Sequence, residues 1–221
     1  MRFAKDCFDV GLMVPADRFD LSQWNAIPGL HLDHVLNIAS YQQHRFHCGD
    51  AVLKVNVGQA PPAPDSPTGL VAFRVGANAY AIRDGAPVVV EVESAPSVTP
   101  PALDIIIETP SVETMLQFYT DAFGLAKAGP QTVQFGPARL VFRTGPAAPP
   151  PPSLDGTGIR YLTFQVFDAD SACHEAIAKG ARLGREPISF GEVARFGFVL
   201  DPDGNWIELS ARASILARHQ A

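Results

Sequence analysis

Cysteine is scarce, with three in 221 residues: Cys7, Cys48 and Cys173. Their separations fit neither a metal-ligand nor a thiol-redox motif, so small buried side chains in a reducing cytoplasm are expected. Basic blocks are missing. Lys and Arg total 17 against 23 Asp and Glu, a formal charge of −6, which argues against nucleic acid as a partner. No apolar run is long enough to cross a bilayer, so no membrane partner is expected. Met1-Arg2-Phe3-Ala4-Lys5-Asp6 is not followed by the apolar stretch of a secretory leader, and the expected location is cytoplasmic. Nucleotide-binding glycine loops, Walker motifs and a Ser-His-Asp pattern are also lacking. Proline is plentiful. It clusters in Ala60-Pro61-Pro62-Ala63-Pro64 and Pro149-Pro150-Pro151-Pro152, which read as stiff extended linkers.

The chain repeats itself. Residues 8–30 align without a gap on 103–125, with five identities in 23 positions: Asp9 on Asp104, Pro15 on Pro110, Leu21 on Leu116, Gly29 on Gly124 and Leu30 on Leu125. Trp24 falls on Tyr119. Each stretch reads as strand, proline, helix with an apolar face, then a Gly-Leu stop. In the second copy Ser111 is the expected helix N-cap. Strands are expected at Gln131–Phe135 and Arg139–Arg143 there, and near His34–Ser40, Gln42–Cys48 and Ala51–Val57 in the first copy. Gly69–Val75 and Val88–Glu93 read as strands of a shortened unit without a helix.

Near the end stands Asp201-Pro202-Asp203-Gly204-Asn205, a turn by composition, followed by the strand Trp206-Ile207-Glu208-Leu209-Ser210. It is preceded by a strand, Gly158–Val166, and a helix, Asp168–Gly180. This ending resembles the last βαβββ module of the vicinal oxygen chelate superfamily, which holds glyoxalase I, extradiol dioxygenases and bleomycin-resistance proteins. The resemblance is strong over about 157–213, good over 102–145 and weaker over the first hundred residues. It implies an α+β fold of repeated βαβββ modules that form curved, cup-shaped mixed sheets. The expected domains are 1–98, a module plus a shortened second one, and 99–221, with modules at 102–145 and 157–213 joined by a Pro-rich linker. It also implies a homodimer and a small-molecule ligand.

Side chains alternate along a strand, so the apolar set identifies the packed face and its neighbours the cup. Ile207 and Leu209 put Trp206, Glu208 and Ser210 in the cup. Leu162, Phe164 and Val166 do the same for Tyr161, Thr163 and Gln165. Leu53, Val55 and Val57 leave Lys54 and Asn56; Phe46 leaves Gln43, Arg45 and His47. These polar residues form either a binding wall or a solvated strand face. His31, His34, His174 and His219 read as surface or tail residues.

In the metal-dependent members the glutamate at the place of Glu208 is a metal ligand. By the resemblance, the other ligand positions fall on Ile105, Tyr161 and Val141–Arg143. Of these only Glu208 is a good ligand, and a divalent site normally takes three or four. The expectation is a degenerate metal site with no cofactor; Fe, Zn, Ni or Mn at Glu208 is the alternative. The resemblance then implies a glyoxalase/dioxygenase-type enzyme (lyase, isomerase or dioxygenase) acting on a compact oxygen-bearing substrate. Glu208, Tyr161 and His47 are the candidate catalytic groups. Arg45, Lys54, Asn56, Gln43 and Trp206 are the candidate ligand contacts. The alternative is a bleomycin-resistance-type protein that sequesters an aromatic or peptide-like molecule without turnover.

Overall fold

The computed structural model describes residues 1–38, 40–58, 68–92, 103–146 and 154–219. Both Pro-rich linkers and the boundary expected at 98/99 lie outside these residues. The chain forms four successive units. The first comprises β1 (Phe3–Pro15), a 3₁₀ turn (Ala16–Arg18), α1 (Leu21–Asn25), β2 (His31–Ile38), β3 (Tyr41–Cys48) and β4 (Ala51–Gly58). The second has strands only: β5 (Leu70–Val75), β6 (Asn78–Arg83) and β7 (Ala86–Val90). The third is β8 (Leu103–Thr109), α2 (Val112–Phe123), β9 (Ala126–Gly129), β10 (Thr132–Phe135) and β11 (Ala138–Thr144). The fourth is β12 (Gly158–Val166), α3 (Ala169–Ala178), β13 (Arg182–Phe190), β14 (Ala194–Leu200) and β15 (Trp206–Arg212), followed by α4 (Ala213–Leu216).

The internal repeat is visible in the strand pairing. In the first unit β1 runs parallel to β4; in the third β8 runs parallel to β11. Ser111 caps α2, its Oγ accepting from Thr114 N at 3.2 Å, and Gly124 ends it at φ 67°. That left-handed conformation suits glycine. The first copy's helix is shorter, five residues, because the stretch before it turns as 3₁₀. Trp24 and Tyr119, which the alignment superimposes, are both fully buried.

The units do not pair in sequence order. An eight-stranded sheet runs β13-β14-β15-β12-β1-β4-β3-β2 and joins the fourth unit to the first. A seven-stranded sheet runs β7-β6-β5-β8-β11-β10-β9 and joins the second to the third. The seams are antiparallel, β1 with β12 and β5 with β8. Both sheets turn their apolar faces inward to one core that includes Phe8, Leu53, Phe73, Ile105, Phe142, Phe164 and Leu209. Register shifts within β1 and β13 bend the first sheet, as bulges do, and its other face closes into a cup.

The Asp201–Asn205 turn ties three units together. Asp201 Oδ1 accepts from the backbone N–H groups of Asp203 and Asn205 at 3.1 and 2.8 Å. Its Oδ2 accepts from Asn205 Nδ2 at 2.9 Å and from the Tyr119 hydroxyl of α2 at 3.1 Å. Asn205 Oδ1 accepts from Gly69 N, beside β5, at 2.7 Å. The turn thereby starts β15 at a defined place, and with it the position of Glu208.

Candidate active site

The cup of the first sheet holds a cavity of about 660 Å³. It is lined by Gln43, Arg45, Lys54, Asn56, Tyr161, Gln165, Glu208 and Ser210, all of which alternation had placed on the cup face. Four strands bring them together. β3 and β4 set Gln43 opposite Asn56 and Arg45 opposite Lys54; β12 and β15 set Tyr161 opposite Trp206, Thr163 opposite Glu208 and Gln165 opposite Ser210.

Gly11 on β1 lies between Lys54 and Tyr161 in the ladder. A Cβ at Gly11 would stand 2.0 Å from the Tyr161 ring. Its missing side chain lets that ring lie across β1 and opens a path along which Lys54 crosses to the opposite half. Lys54 Nζ donates to Glu208 Oε2 and to Thr163 Oγ1, each at 2.7 Å, and Thr163 Oγ1 donates to Glu208 Oε2 at 2.5 Å. Burial pulls the Lys54 ammonium below its ordinary pKa, while Glu208 and then Asp9 work in the other direction. Glu208 is held by Oε2 alone; its Oε1 accepts no hydrogen bond among the described residues.

A second chain of bonds orders the β3–β4 wall. Arg45 donates from a terminal nitrogen to Gln43 Oε1 at 2.8 Å, Gln43 Nε2 donates to Asn56 Oδ1 at 2.8 Å, and Asn56 Nδ2 donates to Leu12 O at 3.0 Å and to the Tyr161 hydroxyl at 3.3 Å. Burial, then the charges of Glu208 and Tyr41, raise the Tyr161 phenol well above its ordinary value, so it stays protonated. Behind Gln165, Asp9 accepts from Lys5 Nζ at 2.5 Å, Val52 N at 3.0 Å and Gln165 Nε2 at 3.2 Å. Burial would raise its pKa, but Lys5, Lys54 and Arg45 outweigh that and lower it. Gln165 Oε1 is buried with no partner among the described residues.

Two expected site residues are not brought in. His47 shares a face with Arg45 but stands one step beyond the cup, opposite His31 and Val52; its ring is half-exposed, 3.4 Å from Asp33. Trp206 lies at the start of β15, where its ring covers Gly184 and meets Phe198 edge-on, and it does not line the cavity. Other residues were missed. Arg212 lines the cavity because β15 runs two residues past the expected end at Ser210, and the same alternation would have found it. Lys5, Asp9 and Gly11 alternate with Phe8, Val10 and Leu12, also a readable signal. Tyr41 comes from a strand end, Arg185 from the irregular middle of β13 and Asp155 from a turn, for which periodicity offers nothing.

The ligand positions expected from sequence do not all surround Glu208. Ile105 is fully buried in the core on the other sheet, and Val141 is in that sheet too, so neither is beside Glu208. Across the seam Glu208 faces the first unit: its row of the ladder runs through Thr163 to Asp9, and Lys54 reaches its Oε2. This donor set does not fit a divalent ion. An ammonium and a hydroxyl already occupy Oε2, and no three His, Cys, Asp or Glu converge among the described residues.

Residues 103–209 match the family model of the Glyoxalase/Bleomycin resistance protein/Dioxygenase superfamily. No curated protein matches the sequence. Among solved structures, glyoxalase I from Zea mays superposes with a TM-score of 0.65 at 13% identity, covering 98% of this chain and 94% of that one. A putative dioxygenase from Bacillus subtilis gives 0.59 at 10% identity, covering 96% and 86%. At these identities the likeness is one of fold, and it extends over both halves. The family model lies on the third and fourth units, so residues 103–209 belong to the glyoxalase/bleomycin resistance protein/dioxygenase superfamily, and the likeness of fold carries over the first half, where repeated units build cup-shaped mixed sheets with them.

Proposed function

We propose that the chain is a glyoxalase/dioxygenase-type small-molecule enzyme, of the lyase, isomerase or dioxygenase class, acting on a compact oxygen-bearing substrate in the first cup. The carrying observation is the asymmetric hold on Glu208: Oε2 is fixed by Lys54 and Thr163 while Oε1 is left uncommitted in the same cavity. A carboxylate held this way is a positioned general base. Oε1 takes a proton from carbon or oxygen of the substrate, and the electron pair left behind moves onto a substrate oxygen. Arg45 and the protonated Tyr161 stand in the same cup to meet that charge, and the proton returns to the product from Glu208. Gln165 Oε1, buried and unpartnered, accepts a hydroxyl of the bound molecule. The reading keeps the homodimer and the reducing cytoplasm, the latter supported by three buried cysteine thiols.

The aromatic part of the lining, Tyr41, Tyr161, Phe190, Phe196 and Phe198, favours the second reading, a bleomycin-resistance-type binder without turnover. One experiment separates the two. In D₂O, a panel of 2-hydroxy and 2-oxo compounds is incubated with the protein and followed by proton NMR. Loss of a C–H signal with wild type but not with Glu208→Gln is the expected result. Saturable binding without exchange anywhere in the panel would leave the sequestering protein.

A further inference from the structure

The cup contains more positive charge than its own carboxylates use. Lys54 is paired with Glu208, and Lys5 with Asp9. Arg185 and Asp155 add one charge of each sign to the lining. Arg45 and Arg212 remain. Arg45 is 6% exposed, and of its five N–H donors one is used, toward Gln43 Oε1; no carboxylate forms an ion pair with it among the described residues. Buried charges are normally paired, because desolvation without a partner is costly. Arg212 donates to Ser214 Oγ at 3.2 Å and likewise has no ion-pair partner among the described residues. Burial and then the nearby charge of Arg45 lower its pKa, so the two guanidiniums are close enough to repel. All this sits in a chain whose formal charge is −6.

The rest of the cavity has the opposite character. Leu36, Ile38, Leu154, Phe190 and Val193 line it, and the last two are 45% and 46% exposed, which puts them at its mouth. A volume near 660 Å³ is far more than a bare anion needs and lies within the usual range for small-molecule sites.

From these features we infer that the cup takes an amphipathic organic carboxylate, with its head on Arg45 and Arg212 and its apolar body against Leu36, Ile38, Phe190 and Val193. The inference rests on reading the cup as a ligand site but not on turnover there. A guanidinium presents a planar fork that a carboxylate matches with two hydrogen bonds. Asp9 and Glu208 act on Arg212 with the opposite sign to Arg45, so the net positive field suits one negative charge better than two. The cation expected from sequence to share this task, Lys54, is committed to Glu208.

Titration calorimetry on the full chain tests this, with octanoate as probe. Acetate supplies the head alone, octan-1-ol the body alone, and octyl phosphate a more highly charged head. Octanoate is expected to bind one to one, at least about tenfold tighter than acetate or octan-1-ol. Arg45→Met should weaken octanoate about tenfold or more and leave octan-1-ol unchanged; Arg212→Met should do the same to a lesser degree. Because Arg45 lacks an ion-pair partner, Arg45→Met should melt within about 5 °C of wild type. Equal affinity for octanoate and octan-1-ol, unchanged octanoate binding in both variants, or octyl phosphate tenfold tighter than octanoate would each overturn the inference. So would a melting temperature for Arg45→Met more than about 5 °C below wild type, which would make Arg45 a structural cation. Heat of binding is read without catalysis. Carboxylate binding without proton exchange in the NMR panel would therefore defeat the enzymatic reading alone, and exchange without Arg45 dependence would defeat this one alone.

Discussion

Lys54 and Glu208 face each other across the seam with side chains 6% and 12% exposed. Lys54→Met would leave that carboxylate buried without its cation and should destabilise by about 3–5 kcal/mol, whereas Lys54→Met with Glu208→Leu should return near wild type. Urea unfolding of the single and double variants measures both. Gly11 is constrained by contact. Gly11→Ala sets a methyl into the buried Tyr161 ring and should cost about 1–3 kcal/mol, recovered in part when Tyr161→Leu is added. Asp9 governs acid stability. Its folded pKa lies below the ordinary 3.8, since Lys5, Lys54 and Arg45 outweigh burial. Its stabilising contribution is therefore complete above about pH 3.8 and is lost as pH falls through the lowered folded value. Asp9→Asn should lower stability at neutral pH and flatten that acid limb, as read from urea midpoints between pH 5 and 2. His47 shows the limit of residue-level reading: alternation gave its face correctly, but a face extends past the end of a cavity, and one ladder step put its ring in solvent.

Among elements, β15 has the most consequences, because its register places Glu208, Ser210 and Arg212. The preceding turn sets that register through Asp201 and Asn205, both fully buried. Asn205→Ala would remove the acceptor of the Gly69 amide and should cost about 1–3 kcal/mol. Hydrogen exchange at Gly69 should then quicken more than exchange in α2, whereas a uniform change would deny the turn this local role. The turn was legible in Asp-Pro-Asp-Gly-Asn, because each residue there has its own conformational reason. The ends of strands were less so. β15 continues to Arg212, and β6 and β9 went unseen, because short strands with small or polar residues carry little periodic signal.

At the scale of the molecule, both sheets cross the halves of the sequence. Fragments 1–98 and 99–221 made separately would each expose an open seam, β1 and β5 on one, β12 and β8 on the other. Each alone is expected to lack a cooperative unfolding transition, and the two co-expressed should recover one; independent folding of either would be seen as sharp melting of that fragment by circular dichroism. The surplus of positive charge in the cup, too, exists only once the fourth unit's Arg212 meets the first unit's Arg45.

The order of the longer strands and of the helices, the repeat, the turn before β15 and the cup faces of β3, β4, β12 and β15 were determined by the sequence itself. They depend on local backbone preference and on which residues avoid water, and both are written residue by residue. Which unit pairs with which was decided only in the tertiary structure. Backbone hydrogen bonds across a strand edge are nearly the same for any partner, so no short stretch encodes the choice. It follows from how four apolar faces share one core. That choice placed Lys54 rather than Ile105 beside Glu208, and so turned the expected metal position into an ion pair.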